Sequence, residues 1–386
     1  MLKVIRNTFF IFIIIGFIIL FGFVPTYTDK SMNKVTTTYT GTPGNSYQSL
    51  PFIADLHCDM LLWDRNFLKE HDYGHVDLPR MQKANMAFQI FTIVSKTPRG
   101  INIEQNTDET DQIALLSFAQ LRPPSNWFSI KARALNQCSE LYKAAEESNG
   151  AFRVIDSQQE LRQFITDRAG DRSLTAGMLG LEGAHCLEGD INNLQTFYDA
   201  GVRYIGLTHF FDNEWAGSAH GMKKEGLTEL GKQLVKKMGE MSMIIDLAHS
   251  SSQTIDDVFA LTNRPVIISH TGVKGMCDNQ RNLSDQHLTE IGKRNGLVGI
   301  GLWDTAVCGN DAAATVKSIR YVADRIGVDK VTLGSDFDGA LTTHFDVTGL
   351  PLIMEALKND NFTDEEIELI MGGNVRDFLL RNLPIN

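Results

Sequence analysis

Phe52-Ile-Ala-Asp-Leu-His-Cys-Asp59 reads as a buried strand that ends in two metal-binding side chains. Residues two apart on a strand point the same way, so His57 and Asp59 share one face and Cys58 turns to the other. An imidazole beside a carboxylate suits zinc and similar divalent ions. The same octapeptide also describes an ordinary turn after a strand, so the rest of the chain has to decide.

Outward from that stretch, apolar runs recur along the chain. Met86 to Val94, Thr175 to Leu181, Val202 to Thr208, Met243 to Ala248, Pro265 to Ser269, Leu297 to Leu302 and Lys330 to Gly334 bring the number of strand candidates to eight. Residues 109 to 148 have helix-like periodicity broken at Pro123 and Pro124, and amphipathic stretches such as Thr228 to Met241 and Ala312 to Ile326 separate later strands. Strands alternating with crossover helices predict an α/β fold, a (β/α)8 TIM-type barrel of the metal-dependent hydrolase kind. Such barrels gather their active sites at the C-terminal ends of the strands.

The residues just past the apolar runs are His57 and Asp59, Glu182, His209, His249, His270 and Asp336, with Asp338 close behind. Any one of them is unremarkable in a turn, but a convergence of this kind points to a metal site. A single Glu between two groups of ligands predicts two ions, because a carboxylate can bridge, and two ions can hold a hydroxide while polarising a carbonyl. On this reading His57 and Asp59 take one ion, His249 and His270 the other, and Glu182 both. With no sulfur ligand, zinc is the first expectation, and manganese or cobalt also suit. Asp336 is left to move protons and His209 to stabilise an oxyanion. Arg281, in the loop Asp278-Asn-Gln-Arg-Asn, is placed to clamp a substrate carboxylate; Asp338 ranks below Asp336 because Gly339 favours a turn.

The chain has 386 residues and a formal charge of -11. With a pI near 5.4 and no basic stripe, nucleic acid is not an expected partner. Five cysteines (Cys58, Cys138, Cys186, Cys277 and Cys308) show no metal-binding spacing. Lys3 and Arg6 precede the uncharged run Phe9 to Val24. Residues 1–27 are therefore expected to be a membrane anchor or signal segment, read as uncleaved because no small-residue cleavage site follows. The stretch from Asn7 to Tyr27 is long enough to cross a bilayer, and the charges before it place the body on the extracytoplasmic side, or in the exported form if the leader is cut. Residues 28–50, rich in Thr, Ser, Asn and Gly, are expected to be a flexible linker, with the barrel over 51–386.

Taken together, Asp55-Leu-His-Cys-Asp, Gly180-Leu-Glu-Gly, Leu207-Thr-His, Asp246-Leu-Ala-His, Ile268-Ser-His, Arg281-Asn, Gly334-Ser-Asp-Phe-Asp-Gly and Gly372-Gly-Asn resemble the membrane dipeptidase (renal dipeptidase) family of zinc peptidases. The resemblance spans residues 51 to 382. It implies two zinc ions per chain on His57, Asp59, Glu182, His249 and His270, with His209 and Arg281 contacting substrate and Asp336 handling protons. It implies hydrolysis of dipeptides, including those with a C-terminal D-residue, and a homodimer. It also implies a disulfide between Cys277 and Cys308, which on the chain-entropy model stabilises by about 3 to 4 kcal/mol. The other three cysteines are then buried apolar residues. Trp303-Asp-Thr departs from the family where an aromatic hydroxyl is usual, and the chain end lacks the hydrophobic tail of lipid-anchored members. Two other functions compete: a broader metal amidase acting on N-acyl amino acids or lactams, and an inactive membrane-anchored barrel that binds peptide.

Overall fold

The computed structural model describes residue 7 and residues 14–386. Its central sheet takes the eight expected strands in chain order: β1 Ile53–Cys58, β2 Met86–Ile93, β3 Thr175–Leu181, β4 Val202–Gly206, β5 Ile244–Asp246, β6 Ile267–Thr271, β7 Leu297–Ile300 and β8 Val331–Leu333. Each is parallel to the next, from β1 through β8. A short strand, Phe152–Val154, also pairs with β3. The barrel closes beyond the end of β8, where Phe337 bridges Cys58 and its carbonyl accepts the Asp59 amide at 2.8 Å.

Neighbouring strand residues face opposite sides and meet different partners. Leu179, Ile205, Ile245, Ile268, Val298 and Leu333 pack with Leu234, Val258, Leu288 and Ile319 of the crossover helices. Met178, Tyr204, Ile244, Ile267 and Leu297 pack instead with Val375, Phe378 and Leu379 of the last helix, Asn374–Asn382. Helices begin where hydroxyl or carboxylate caps satisfy free amides: Thr228, Ser251, Ser284 and Asp311 accept from Gly231, Thr254, His287 and Ala314. Each cap contributes about 1 kcal/mol. At Gly334, just past β8, a Cβ would run into the Ser269 carbonyl, so the close approach of this turn to β6 requires glycine.

Two expectations about the leader meet different outcomes. The anticipated span from Asn7 to Tyr27 falls partly on residues 8–13, outside the described residues; among the described residues no helix is long and apolar enough to cross a membrane. The linker is a correction. Residues 28–50 are laid onto the barrel: helix Val24–Met32 runs into strand Lys34–Val35, which pairs with Thr342–Thr343, and Asn45–Gln48 is helical. Few apolar residues hold this stretch. Tyr47 and Leu50 join the core, while residues 29–37 attach mainly through Asp29, Asn33 and backbone amides, which hydropathy does not register.

Candidate metal centre

Strand ends deliver the expected side chains to one place. His57 Nε2 lies 3.4 Å from Asp59 Oδ1, 3.3 Å from Glu182 Oε1 and 3.8 Å from Asp336 Oδ1. Glu182 Oε1 is also 3.2 Å from His249 Nε2 and 3.5 Å from His270 Nε2, while Oε2 is 3.3 Å from His209 Nε2. Three groups of donors fall within 4.8 Å of one another: His57, Glu182 and His270; Glu182, His209 and His249; and His57, Asp59 and Asp336. Glu182 and His57 each belong to two of them. His209, read from sequence as a substrate contact, is brought within ligand distance of Glu182 and His249. Arg281 is half-buried, with its Nη2 donating to the His270 carbonyl at 2.7 Å.

The donor set fits a divalent metal. Nε2 of His249 and of His270 are 2.9 Å apart, close to the roughly 3.3 Å that two imidazoles on one tetrahedral zinc adopt. Neither His57 Nε2 nor Glu182 Oε2 has a hydrogen-bond partner, although both are buried. Buried polar atoms rarely stay unpaired without a reason.

Electrostatics points the same way. Burial, with Asp59 nearby, pushes the Glu182 carboxyl up to about 7 against the pull of His57. Burial likewise holds Asp336 well above the usual carboxylate range. Burial and neighbouring cations hold His209, His249 and His270 well below the usual imidazole value, so these rings are neutral and present lone pairs. His57 is the exception: burial opposes its charge, but Glu182 and Asp59 outweigh burial and raise it. A cation is favoured at the centre, and in the metal-free chain a proton on His57 supplies it.

A second layer fixes the rings. Asp246 Oδ1 accepts the amides of Ala248 and Ser269, and its Oδ2 accepts the Ser269 hydroxyl at 2.6 Å. With its one proton committed there, the Ser269 oxygen has two lone pairs left. Nδ1 of His57 is 3.2 Å away and Nδ1 of His270 is 2.9 Å away, so both rings donate from Nδ1 and turn Nε2 toward Glu182. Asp55 plays a similar part for the β8 end, accepting the Ser335 amide at 2.6 Å and the Ser335 hydroxyl at 2.8 Å. The Thr92 hydroxyl donates to Asp59. Two turns that carry site residues have left-handed backbone, His249 at φ 60° and Asp336 at φ 60°.

The structure also brings in residues that sequence reasoning left without roles. His185 and His220, both buried, border the site. His220 Nδ1 lies 2.9 Å from the Ile103 carbonyl, which can only accept, so its unpartnered Nε2 carries the lone pair. His75, His287 and His344 are buried as well. Cys277 and Cys308 form the disulfide implied by resemblance, and Cys58, Cys138 and Cys186 are buried and free.

A closed parallel barrel with imidazoles and carboxylates at its strand ends defines a metal-dependent hydrolase of the (β/α)8 class. The chain belongs to the membrane dipeptidase family (peptidase family M19), whose model matches residues 47–379. It is 29% identical over 355 residues to dipeptidase aclJ of Aspergillus oryzae, covering 84% of this chain and 76% of that protein. It is 30% identical over 249 residues to human dipeptidase 3, covering 60% of this chain and 50% of the human one. Among solved structures, a metallo peptidase from Rhodobacter sphaeroides, liganded with a phosphinate mimic of the dipeptide L-Ala-D-Ala, aligns with a TM-score of 0.70 and 25% identity over 86% of this chain and 99% of the other.

Proposed function

We propose that this chain is a binuclear zinc dipeptidase that cleaves free dipeptides, including those with a C-terminal D-residue. The observation that carries the reading is the convergence of His57, Asp59, Glu182, His249 and His270 around one centre, with Asp336 beside it, in a chain of this family. His57 and Asp59 would hold one ion, His249 and His270 the other, and Glu182 both. When bound, such a pair of ions supplies an activated water and polarises the scissile carbonyl.

The chain's own groups account for the rest. Asp336 is 3.8 Å from His57 and held by burial at a high pKa, so its carboxylate readily takes a proton. It would accept one from the attacking water and pass it to the departing amine, as the C–N bond breaks and the new C–O bond forms. His209, neutral and on the opposite side of Glu182, would steady the negative oxygen of the tetrahedral intermediate. Arg281 would pair with the substrate's terminal carboxylate. The Cys277–Cys308 disulfide supports an extracytoplasmic body, with the N-terminal segment as its membrane attachment.

The test is amino-acid release by the full-length chain from L,L and L,D dipeptides, beside their N-acetylated and C-amidated forms, before and after chelation and zinc return. Chelator-sensitive cleavage of free dipeptides alone is the expected result. Equal cleavage of the blocked forms would replace this reading with a broader amidase. Inactivity with two zinc ions bound would replace it with a binding protein.

A further inference from the structure

The loop that carries Asp336 takes an uncommon backbone path. Asp336, Asp338 and Ala340 all sit in the left-handed region, at φ 60°, 62° and 59°. Left-handed non-glycine residues persist only where surrounding contacts enforce them. The Asp336 carbonyl accepts the Gly339 amide at 3.1 Å, but its side chain makes no hydrogen bond, and its carboxylate lies beside His57 and Asp59. Its position therefore depends on its neighbours, Ser335 held by Asp55 and Phe337 held by the Asp59 amide, and on what holds residues 338–343 beyond them.

Much of that hold comes from the far end of the chain. Asn33 Oδ1 accepts the Ala340 amide at 2.9 Å, and the Lys34, Thr36 and Thr37 amides donate to the carbonyls of Leu341, Thr343 and His344 at 3.3, 2.8 and 2.9 Å. Asp29 Oδ2 lies 2.8 Å from Arg65 Nε, and Arg65 Nη2 lies 2.6 Å from Asp338 Oδ1. Asn33 Nδ2 donates to Asp29 Oδ1 at 2.8 Å, joining the two sets. A third tie passes through His75. Its Nε2 is 2.9 Å from the Lys34 carbonyl, which can only accept, so the ring proton sits on Nε2. Nδ1 is then free to accept the Asp338 amide at 2.7 Å. Asp29, Asn33, Arg65, His75 and Asp338 are all buried, so water does not readily substitute for these partners.

We propose that residues 29–37 are a brace for the reactive loop, in which Asp29, Asn33 and the Lys34 carbonyl act as positioning groups for Asp336. The segment lies upstream of the family match, which begins at residue 47. The role assigned to Asp336 rests on the dipeptidase reading; the brace itself rests on the contacts. A consequence is that the polypeptide leading toward the apolar N-terminus is fastened to the catalytic loop and is not a passive tether.

The test uses full-length protein with Asn33→Ala, which removes the Ala340 acceptor, and separately Thr36→Pro, which deletes one ladder amide at an exposed position. Hydrogen exchange at the Asp338 and Ala340 amides should accelerate in both variants. Zinc content and KM should hold while kcat falls about 10- to 100-fold, the scale of loss when a reacting group is displaced by roughly an ångström. Unchanged exchange, or accelerated exchange with unchanged kcat, would overturn the proposal. Loss of zinc in parallel with kcat would also overturn it, because the whole site would then have loosened. If the wild-type chain releases no amino acids, the dipeptidase reading fails and exchange at Ala340 alone decides the brace.

Discussion

Replacing Ser269 by alanine should weaken both metal sites at once. One hydroxyl serves three partners: it donates to Asp246 at 2.6 Å and accepts from His57 and His270 at 3.2 and 2.9 Å. In Ser269→Ala, Asp246 keeps its two backbone donors, but two buried imidazoles lose the acceptor that fixes their tautomer and ring angle. Loss of such an outer partner typically lowers metal affinity 10- to 100-fold, or about 1.4 to 2.8 kcal/mol per ion. Because His57 is assigned to one ion and His270 to the other, both steps of a zinc titration should shift. The assay is competition of the metal-free protein against a chromophoric chelator that resolves the two steps. Ser250→Ala is the control: Ser250 follows His249 directly, yet its buried hydroxyl has no partner, so its removal should leave both steps in place. Unshifted steps in Ser269→Ala would show that packing alone orients the rings. A shift confined to one step would refute the shared role.

Other consequences can be measured on the same protein. Asp336→Asn should keep both zinc ions and lose about 10²- to 10⁴-fold in kcat, the usual worth of a positioned acid/base, as read by steady-state kinetics with metal analysis. Arg281→Met should raise KM for free dipeptides and leave any residual cleavage of C-amidated ones unaltered; equal effects on both would remove the carboxylate contact from the mechanism. Zinc affinity should climb with pH, by up to about tenfold per unit, until Glu182 is ionised. The sign follows from burial raising that carboxyl from 4.5 to about 7 in the metal-free chain. A proton on Glu182 stabilises the folded metal-free protein, fully below about pH 4.5, and that contribution is lost as pH rises through about 7. Denaturant titrations of the metal-free and zinc-loaded forms should therefore diverge across that interval. Parallel curves would mean that Glu182 does not titrate there.

What the sequence discloses about this molecule depends on whether the signal is local. Each strand is a short apolar run with a polar residue at its end, and both features survive in one dimension; Thr175–Leu181 and the helix Ala312–Ile326 have the very limits their periodicity predicts. The ligands are legible for the same reason, since a barrel converts strand-end positions into neighbours. Ser269 and Asp246 stand in motifs that are plain in the sequence, but their work requires a hydroxyl on β6 to reach side chains from β1 and β5, which no local pattern encodes. His75 shows the limit more sharply. A histidine between Gly74 and Val76, in a stretch rich in polar residues, reads as a surface turn, yet it is fully buried because both ring nitrogens find backbone partners, one in the leader and one in the reactive loop.

The leader is where composition misleads for a physical reason. Low apolar content argues for disorder when burial of apolar surface is the only means of offsetting chain entropy. Here the compensation is of another kind. Asp29 and Arg65 form a buried pair whose second partner, Asp338, is already held by the amides of His75 and Val76. Removing Asp29 leaves Arg65 paired with Asp338 but strands the Arg65 Nε–H and the Asn33 side-chain amide without their acceptor, at a cost of about 1 to 3 kcal/mol per buried donor. Asp29→Leu should therefore destabilise more than Asp29→Asn, which retains a polar group facing Asn33 and Arg65, and the two can be ranked by thermal denaturation of the full-length chain. If both variants melt with the wild type, residues 28–37 add nothing to the fold, and a flexible linker would describe them after all.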